Sequence, residues 1–246
     1  DQAYWDHAFE LRMPILQELL GDVAWPRLLD VGCGTGTFAA FCKRAGWDVY
    51  GVEPSCHFHG DLEAAGITIL PKLIEDISDE EWERLGPFDV VNMSMFLEHV
   101  LDPVAVLGTI AGRLRSGGVL SLESPNDFNP LQLAAVESEG LDAWWINRLP
   151  INYFDFESIE VLCRKVGLEP QRRFAQFPIE MFLLFGDAYV GDEKLGRSLH
   201  KKRVRFENGM IETGRSDLLR SMYEGLAKLE LGRQAIVYAR KPGGAI

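Results

Sequence analysis

Three glycines at alternate positions, Gly32, Gly34 and Gly36, follow an acid in the segment Asp30-Val-Gly-Cys-Gly-Thr-Gly36, with Cys33 and Thr35 between them. Without a Cβ, such residues let the backbone turn sharply and let a bound molecule approach the main chain. A plain turn needs fewer, so the run reads as a ligand cradle. Glu53-Pro54 stands one β-α unit further along. A carboxylate there can accept a pair of charge-assisted hydrogen bonds from the two hydroxyls of a ribose, and it repels a 2′-phosphate. The dinucleotide fingerprint G-x-G-x-x-G needs glycine where Thr37 stands, so a pyrophosphate loses the close helix approach that the third glycine allows. That argues against a nicotinamide oxidoreductase.

These residues need a scaffold of parallel β-α-β units, and most of the chain up to residue 170 alternates short apolar runs with helical patterns in that way. Strands are expected at residues 27–31, 48–52, 67–70, 88–93, 119–122, 169–177 and 234–239. The glycine turn leaves the first strand and opens a helix with Phe38, Phe41, Cys42 and Ala45 on one face, closed by Gly46. Such a turn, at the carboxyl end of a parallel strand, is the expected ligand crevice of a doubly wound sheet. Ser78 and Glu81 form a capping box, Asp102-Pro103 an N-cap with proline at the first helical position, and Asp155 a further cap. Gly117-Gly118 is expected to end the helix that starts at Pro103 and to lead into the fifth strand.

Three stretches break the rhythm. Residues 1–22 read as an amphipathic helix interrupted by Pro14. Residues 124–152 carry Trp144, Trp145 and three prolines without a clean period, and residues 178–232 hold a basic patch and a helix from Ser216 to Gly232. The chain reads as one domain, residues 1–246, with its core at 23–123, 153–177 and 233–241. The three irregular stretches are accessory elements over the open end of the sheet.

Charge excludes some partners. With 25 basic and 37 acidic residues the chain carries a formal −12, the wrong sign for neutralising the phosphates of a nucleic acid. An apolar content of 47% excludes a largely disordered chain. No run approaches the ~18 apolar residues of a membrane-spanning helix, so a soluble protein is expected. The 4 cysteines form no CxxC pair, which suits a reducing, cytoplasmic setting without structural zinc.

The spacing G-x-G-x-G after an acid resembles motif I of the class I S-adenosylmethionine-dependent methyltransferases. The resemblance covers about residues 27–170 and returns at the last strand, and it is closest to the ubiquinone and menaquinone biosynthesis type. Leu29-Leu-Asp-Val-Gly-Cys-Gly-Thr-Gly36, Gly51-Val-Glu-Pro-Ser55, Phe88-Asp-Val-Val91, Phe96-Leu-Glu-His-Val100 and Leu114-Arg-Ser-Gly-Gly-Val119 carry it. It implies an α/β, Rossmann-like, doubly wound sheet of seven strands, mostly parallel with an antiparallel last strand, plus helical and aromatic cap insertions. It also implies transfer of a methyl group from S-adenosylmethionine to an oxygen or nitrogen of a small-molecule acceptor, giving S-adenosylhomocysteine. Asp30, Gly32, Cys33, Gly34, Gly36, Glu53 and Pro54 would hold the cofactor. Glu75, Asp76 and Ile77 would face its adenine, and Asn92, Met93 and Ser94 its methionine part. Tyr4 and Trp5 would close over it, with Arg12 on its carboxylate.

In-line methyl transfer is mostly a positioning task, helped by a base where the nucleophile must lose a proton. His99, just after the fourth strand, is the candidate base, with an unperturbed imidazole titrating near ~6.5. In the blander reading, Glu98-His99 only shapes its loop. Asp127, Trp144, Trp145 and Tyr153 are candidates for the acceptor pocket. His200, Lys201, Lys202, Arg203 and Arg205 either recognise a phosphate or carboxylate on the substrate or form a solvated charged face. No metal is expected, since His57 and His59 lack a third ligand and paired acids after the fourth strand are missing. A sugar, a nucleotide sugar or a protein side chain stands as the alternative acceptor, and a non-catalytic cofactor-binding protein as the alternative function.

Overall fold

Strand β1, Arg27–Val31, sits near the middle of a seven-stranded sheet in a computed structural model that describes residues 2–243. The order is β3-β2-β1-β4-β5-β7-β6, with β2 at Asp48–Val52, β3 at Thr68–Leu70, β4 at Phe88–Ser94, β5 at Leu114–Pro125, β6 at Glu169–Ala175 and β7 at Gln234–Arg240. Strands β1 to β5 pair in parallel, while β7 lies antiparallel between β5 and β6. The Rossmann-like expectation therefore holds. Chain order reverses between β1 and β4, which opens a crevice beyond their carboxyl ends.

Alternation along the strands sorts the core. Leu29, Val31, Val91, Met93, Leu120 and Leu122 point to one face and pack with residues of α5, Pro103–Arg113, and α7, Phe156–Lys165. Leu28, Val90, Val119, Ile236 and Tyr238 point to the other, against α1, Gln2–Leu20, α2, Thr37–Arg44, and α10, Ser216–Lys228. On this second face the carboxyl ends of the strands turn polar: Asp30, Asn92, Ser94, Ser121 and Glu123. The paired positions Asp30↔Asn92, Asn92↔Ser121 and Ser94↔Glu123 bring them side by side.

Several boundaries differ from those read in the sequence. Helix α1 runs unbroken through Pro14, so the proline does not interrupt it. Strand β5 begins at Leu114 instead of residue 119, and α5 ends at Arg113. Gly117 and Gly118 lie inside that strand. Gly117 adopts φ 76°, and a Cβ on Gly118 would approach the carbonyl oxygens of Arg115, Phe88 and Asp89 at 3.0–3.2 Å, so the pair lets the strand bend rather than ending a helix. β6 stops at Ala175, and the last helix stops at Lys228. The remaining helices are α3, His59–Ala64, α4, Asp79–Leu85, α6, Pro130–Glu139, α8, Glu180–Leu184, and α9, Glu193–Glu212. The capping boxes at Ser78 and Asp155 are present, and Asn129 adds a further one before Pro130.

Candidate active site

The polar ends of β1, β4 and β5 form the floor of a cavity of about 820 Å³. Asn92 Nδ2 donates to Asp30 Oδ1 at 2.7 Å, while Asn92 Oδ1 is buried without a partner. Burial pushes the Asp30 carboxyl up to about 7, against the hydrogen bond from Asn92 and the charge of Arg12, which lower it. Arg12 reaches this floor from α1. It donates to Glu123 Oε2 at 2.7 Å, to the Tyr238 hydroxyl at 3.1 Å and to Ser121 Oγ at 3.1 Å. Glu123 also accepts from Ser94 at 3.0 Å and from Gln176 at 2.7 Å. Arg12, expected on a ligand carboxylate, thus has each of its three nitrogens engaged by a buried protein network.

The glycine turn borders the cavity, and its three glycines serve different needs. All have φ in the left-handed region, 67°, 52° and 67° for Gly32, Gly34 and Gly36. A Cβ on Gly32 would lie 2.4 Å from the Phe96 ring, and one on Gly36 2.1 Å from Leu62. A Cβ on Gly34 would meet nothing within 4 Å, and this residue lines the cavity with Gly32 and Cys33. The Cys33 thiol is pushed up to about 12 by burial and by Asp30 and Glu53, so it stays protonated. Glu53, half-buried at the tip of β2 and followed by Pro54, accepts from the Gly34 amide at 3.0 Å and the Ser55 amide at 2.8 Å. Two backbone bonds leave a carboxylate further lone pairs, so the acid both braces the turn and can take hydroxyl donors.

Other expected residues stand elsewhere. Strand alternation gives Asn92 and Ser94 to the cavity but turns the Met93 side chain into the opposite core; Met95, at φ 53°, reaches the cavity instead. Ile77 is likewise packed in that core, and exposed Glu75 and Asp76 do not line the cavity. His99 does not line it either: its side chain is 51% exposed, and its nearest carboxylate is Glu98 at 3.9 Å. The turn at Met95 carries the chain away from the floor before His99 is reached. Asp127, Trp144, Trp145 and Tyr153 also lie outside the lining. There Trp145 packs edge-on against Trp144 and Phe128, and Phe128 packs against Tyr153, an aromatic cluster of its own. Residues 151 and 152 donate backbone bonds to the Glu98 carbonyl, which ties this insertion to the His99 turn. Burial lifts the Asp127 carboxyl to about 6.

The wall facing the glycine turn comes from α1, α8, α9 and the segments around Gln176 and Gln234. Tyr4, Trp5 and Arg12, expected to close over the cofactor, line the cavity from one face of α1. Helical phase splits the basic patch on α9. His200 and Arg203 point inward with Gly196 and Leu199, while Lys201, Lys202 and Arg205 are exposed. Gln176, Tyr189 and Arg233 were not singled out by the sequence, and neither was Glu123, although a glutamate in an otherwise buried strand was a readable signal. Among the described residues no group of three or more His, Cys, Asp or Glu side chains is placed to hold a metal. None of their helices is long and apolar enough to cross a membrane.

Known proteins resemble this chain in sequence and fold. A family model described as "Methyltransferase domain" matches residues 4–172. Over 173 residues the chain is 28% identical to the ubiquinone biosynthesis O-methyltransferase of Bordetella avium, covering 65% of this chain and 69% of that one. Over 161 residues it is 32% identical to the enzyme of the same name from Cereibacter sphaeroides, covering 60% and 62%. Among solved structures, a SAM-dependent methyltransferase from Archaeoglobus fulgidus superposes with a TM-score of 0.58 at 17% identity, covering 98% of this chain and 95% of that chain. The sheet is that of the class I S-adenosylmethionine-dependent methyltransferases. The chain belongs to the methyltransferase-domain family.

Proposed function

We propose that the chain transfers a methyl group from S-adenosylmethionine to an oxygen or nitrogen of a small-molecule acceptor, releasing S-adenosylhomocysteine. One observation carries this reading. A single cavity joins the open Gly34 turn and the Asp30–Asn92 pair to the inward face of α9. Its glycine end suits a nucleoside: Gly34 leaves the main chain open, Glu53, outside the lining but bonded to the Gly34 amide, offers lone pairs for ribose hydroxyls, and the orphaned Asn92 Oδ1 awaits a donor such as an amino group. When bound, the cofactor supplies an activated methyl group on a sulfonium. The chain's part is then to position and enclose: the turn and Glu53 fix one reactant, while α1 and α9 wall off the other from water. The relatives' name, O-methyltransferase, favours oxygen as the accepting atom.

The test is turnover with methyl-labelled S-adenosylmethionine over a panel of phenols, amines and sugars. Label in a small-molecule product, with S-adenosylhomocysteine in equal amount, is the expected result. Tight cofactor binding with no transfer to any class would favour a non-catalytic binder instead.

A further inference from the structure

At the end of the cavity away from the glycine turn, donors predominate among the unpartnered polar groups, with Gln234 Oε1 the exception among the described residues. Arg203 is 6% exposed. Its Nη2 donates to the Tyr4 hydroxyl at 2.6 Å and to His200 Nδ1 at 3.1 Å, which uses both hydrogens on that nitrogen. Its Nε is buried with no partner, and among the described residues no carboxylate lies within 4 Å of the guanidinium. Since a guanidinium can only donate, His200 Nδ1 must accept, and the neutral imidazole then carries its hydrogen on Nε2. Burial, Arg203 and Arg233 all lower the His200 pKa and keep that ring neutral. Tyr189 brings a hydroxyl without a partner, held protonated because burial raises its pKa. Arg233, on the exposed rim of the cavity, forms no ion pair among the described residues.

Two carboxyls flank these groups without satisfying them. Glu207 is engaged by the Tyr223 hydroxyl at 2.6 Å, and Glu180 is buried outside the lining; burial raises both. Glu123, at the cavity floor, is bound to Arg12. Arg203 stacks over the Tyr4 ring at 5.3 Å and feels the charge of Glu207, and Arg233 that of Glu180, but among the described residues neither guanidinium forms an ion pair within 4 Å, in a chain of net charge −12. A buried charge is costly unless paired, and planar Arg donors match the oxygens of a carboxylate or phosphate.

Resting on the methyl-transfer reading, we infer that the acceptor carries an acidic group, a carboxylate or phosphate, bound by Arg203 and Arg233 with Tyr189 and His200 as further donors. Trp5 and Phe182 in the same lining give its body an aromatic wall.

The test uses calorimetric titration of the protein saturated with S-adenosylhomocysteine, with benzoate, phenyl phosphate and phenol as probes. One or both anions should bind about tenfold or more tightly than phenol, the difference expected from a charge-assisted bond. Arg203→Met and Arg233→Met should each remove most of that preference while leaving S-adenosylhomocysteine affinity within about twofold. Arg233 is exposed, so its variant remains informative if the Arg203 variant fails to fold. Equal binding of phenol and the anions would overturn the inference. So would variants that weaken S-adenosylhomocysteine instead, because the cations would then serve the cofactor's own carboxylate. If the wild type bound no S-adenosylhomocysteine, the methyl-transfer reading would fall. The same probes would then be titrated into the unliganded chain, where tighter binding of the anions supports the acidic-ligand site and equal binding of phenol removes it.

Discussion

Arg12 Nη1 and Glu123 Oε2 meet at 2.7 Å at the cavity floor, 111 residues apart in sequence and both buried. The pair pins α1 to the carboxyl end of β5, and with Ser94, Ser121, Gln176 and Tyr238 it leaves few polar atoms unsatisfied. A buried pair of this kind contributes little against an apolar replacement, but breaking it from one side strands a charge. Arg12→Met should therefore cost about 3–5 kcal/mol in urea unfolding. Arg12→Met combined with Glu123→Leu should recover part of that loss. A single variant as stable as the wild type would mean that the network is not closed around these two residues.

Asp30 is held at a cost. Its folded carboxyl titrates at about 7 because of burial, against ~3.9 in an unfolded chain. A raised carboxyl pKa means that the folded state binds the extra proton between those values. This group's contribution to stability is thus fully present at low pH and is lost as pH rises through 7. Asp30→Asn should raise the melting temperature of the unliganded protein at pH 8 and change it little at pH 4. It should also weaken S-adenosylhomocysteine binding, the usual exchange of function for stability. Identical shifts at the two pH values would remove ionised Asp30 as the source of the strain.

Gly34 differs from its neighbours in having open space where a side chain would go. Gly34→Ala should fold with a loss of about 1–2 kcal/mol from its left-handed backbone, yet bind S-adenosylhomocysteine at least about tenfold more weakly. Gly36→Ala must in addition displace Leu62, so its main deficit should appear in thermal unfolding. Unchanged affinity in the Gly34 variant would remove this amide from the cofactor site.

His99 lies outside the cavity and half in solvent. Initial rates of His99→Ala should stay within about twofold of the wild type from pH 6 to 9, far from the 100-fold or larger loss typical of a removed acid–base group. A loss of that size, concentrated at one end of the pH range, would restore His99 to the chemistry.

What was legible in the sequence was local. The glycine turn, the buried strands around it and the caps at Ser78, Asp102 and Asp155 each depend on residues a few positions apart, and each formed where expected. Met93 could have been read correctly, because period-two alternation already separates it from Asn92 and Ser94. His99 could not: its displacement follows from a positive φ at Met95, a conformation that a methionine rarely adopts. The aromatic insertion misled for another reason. Trp144, Trp145 and Tyr153 have the composition of a pocket lining, but they find one another and Phe128 instead. On α9 the basic run was visible as a run, yet which cations face inward depends on the helix's phase against α1, a contact far apart in sequence.

The proposed recognition of the cofactor by Glu53 and the glycine turn is probed most sharply by calorimetric titration of S-adenosylhomocysteine into the wild type and Glu53→Gln, with NADH as the comparison. One saturable site for S-adenosylhomocysteine is expected, at least about tenfold weaker in the variant, with no comparable site for NADH. Absence of heat with S-adenosylhomocysteine, together with tight binding of NADH, would contradict it.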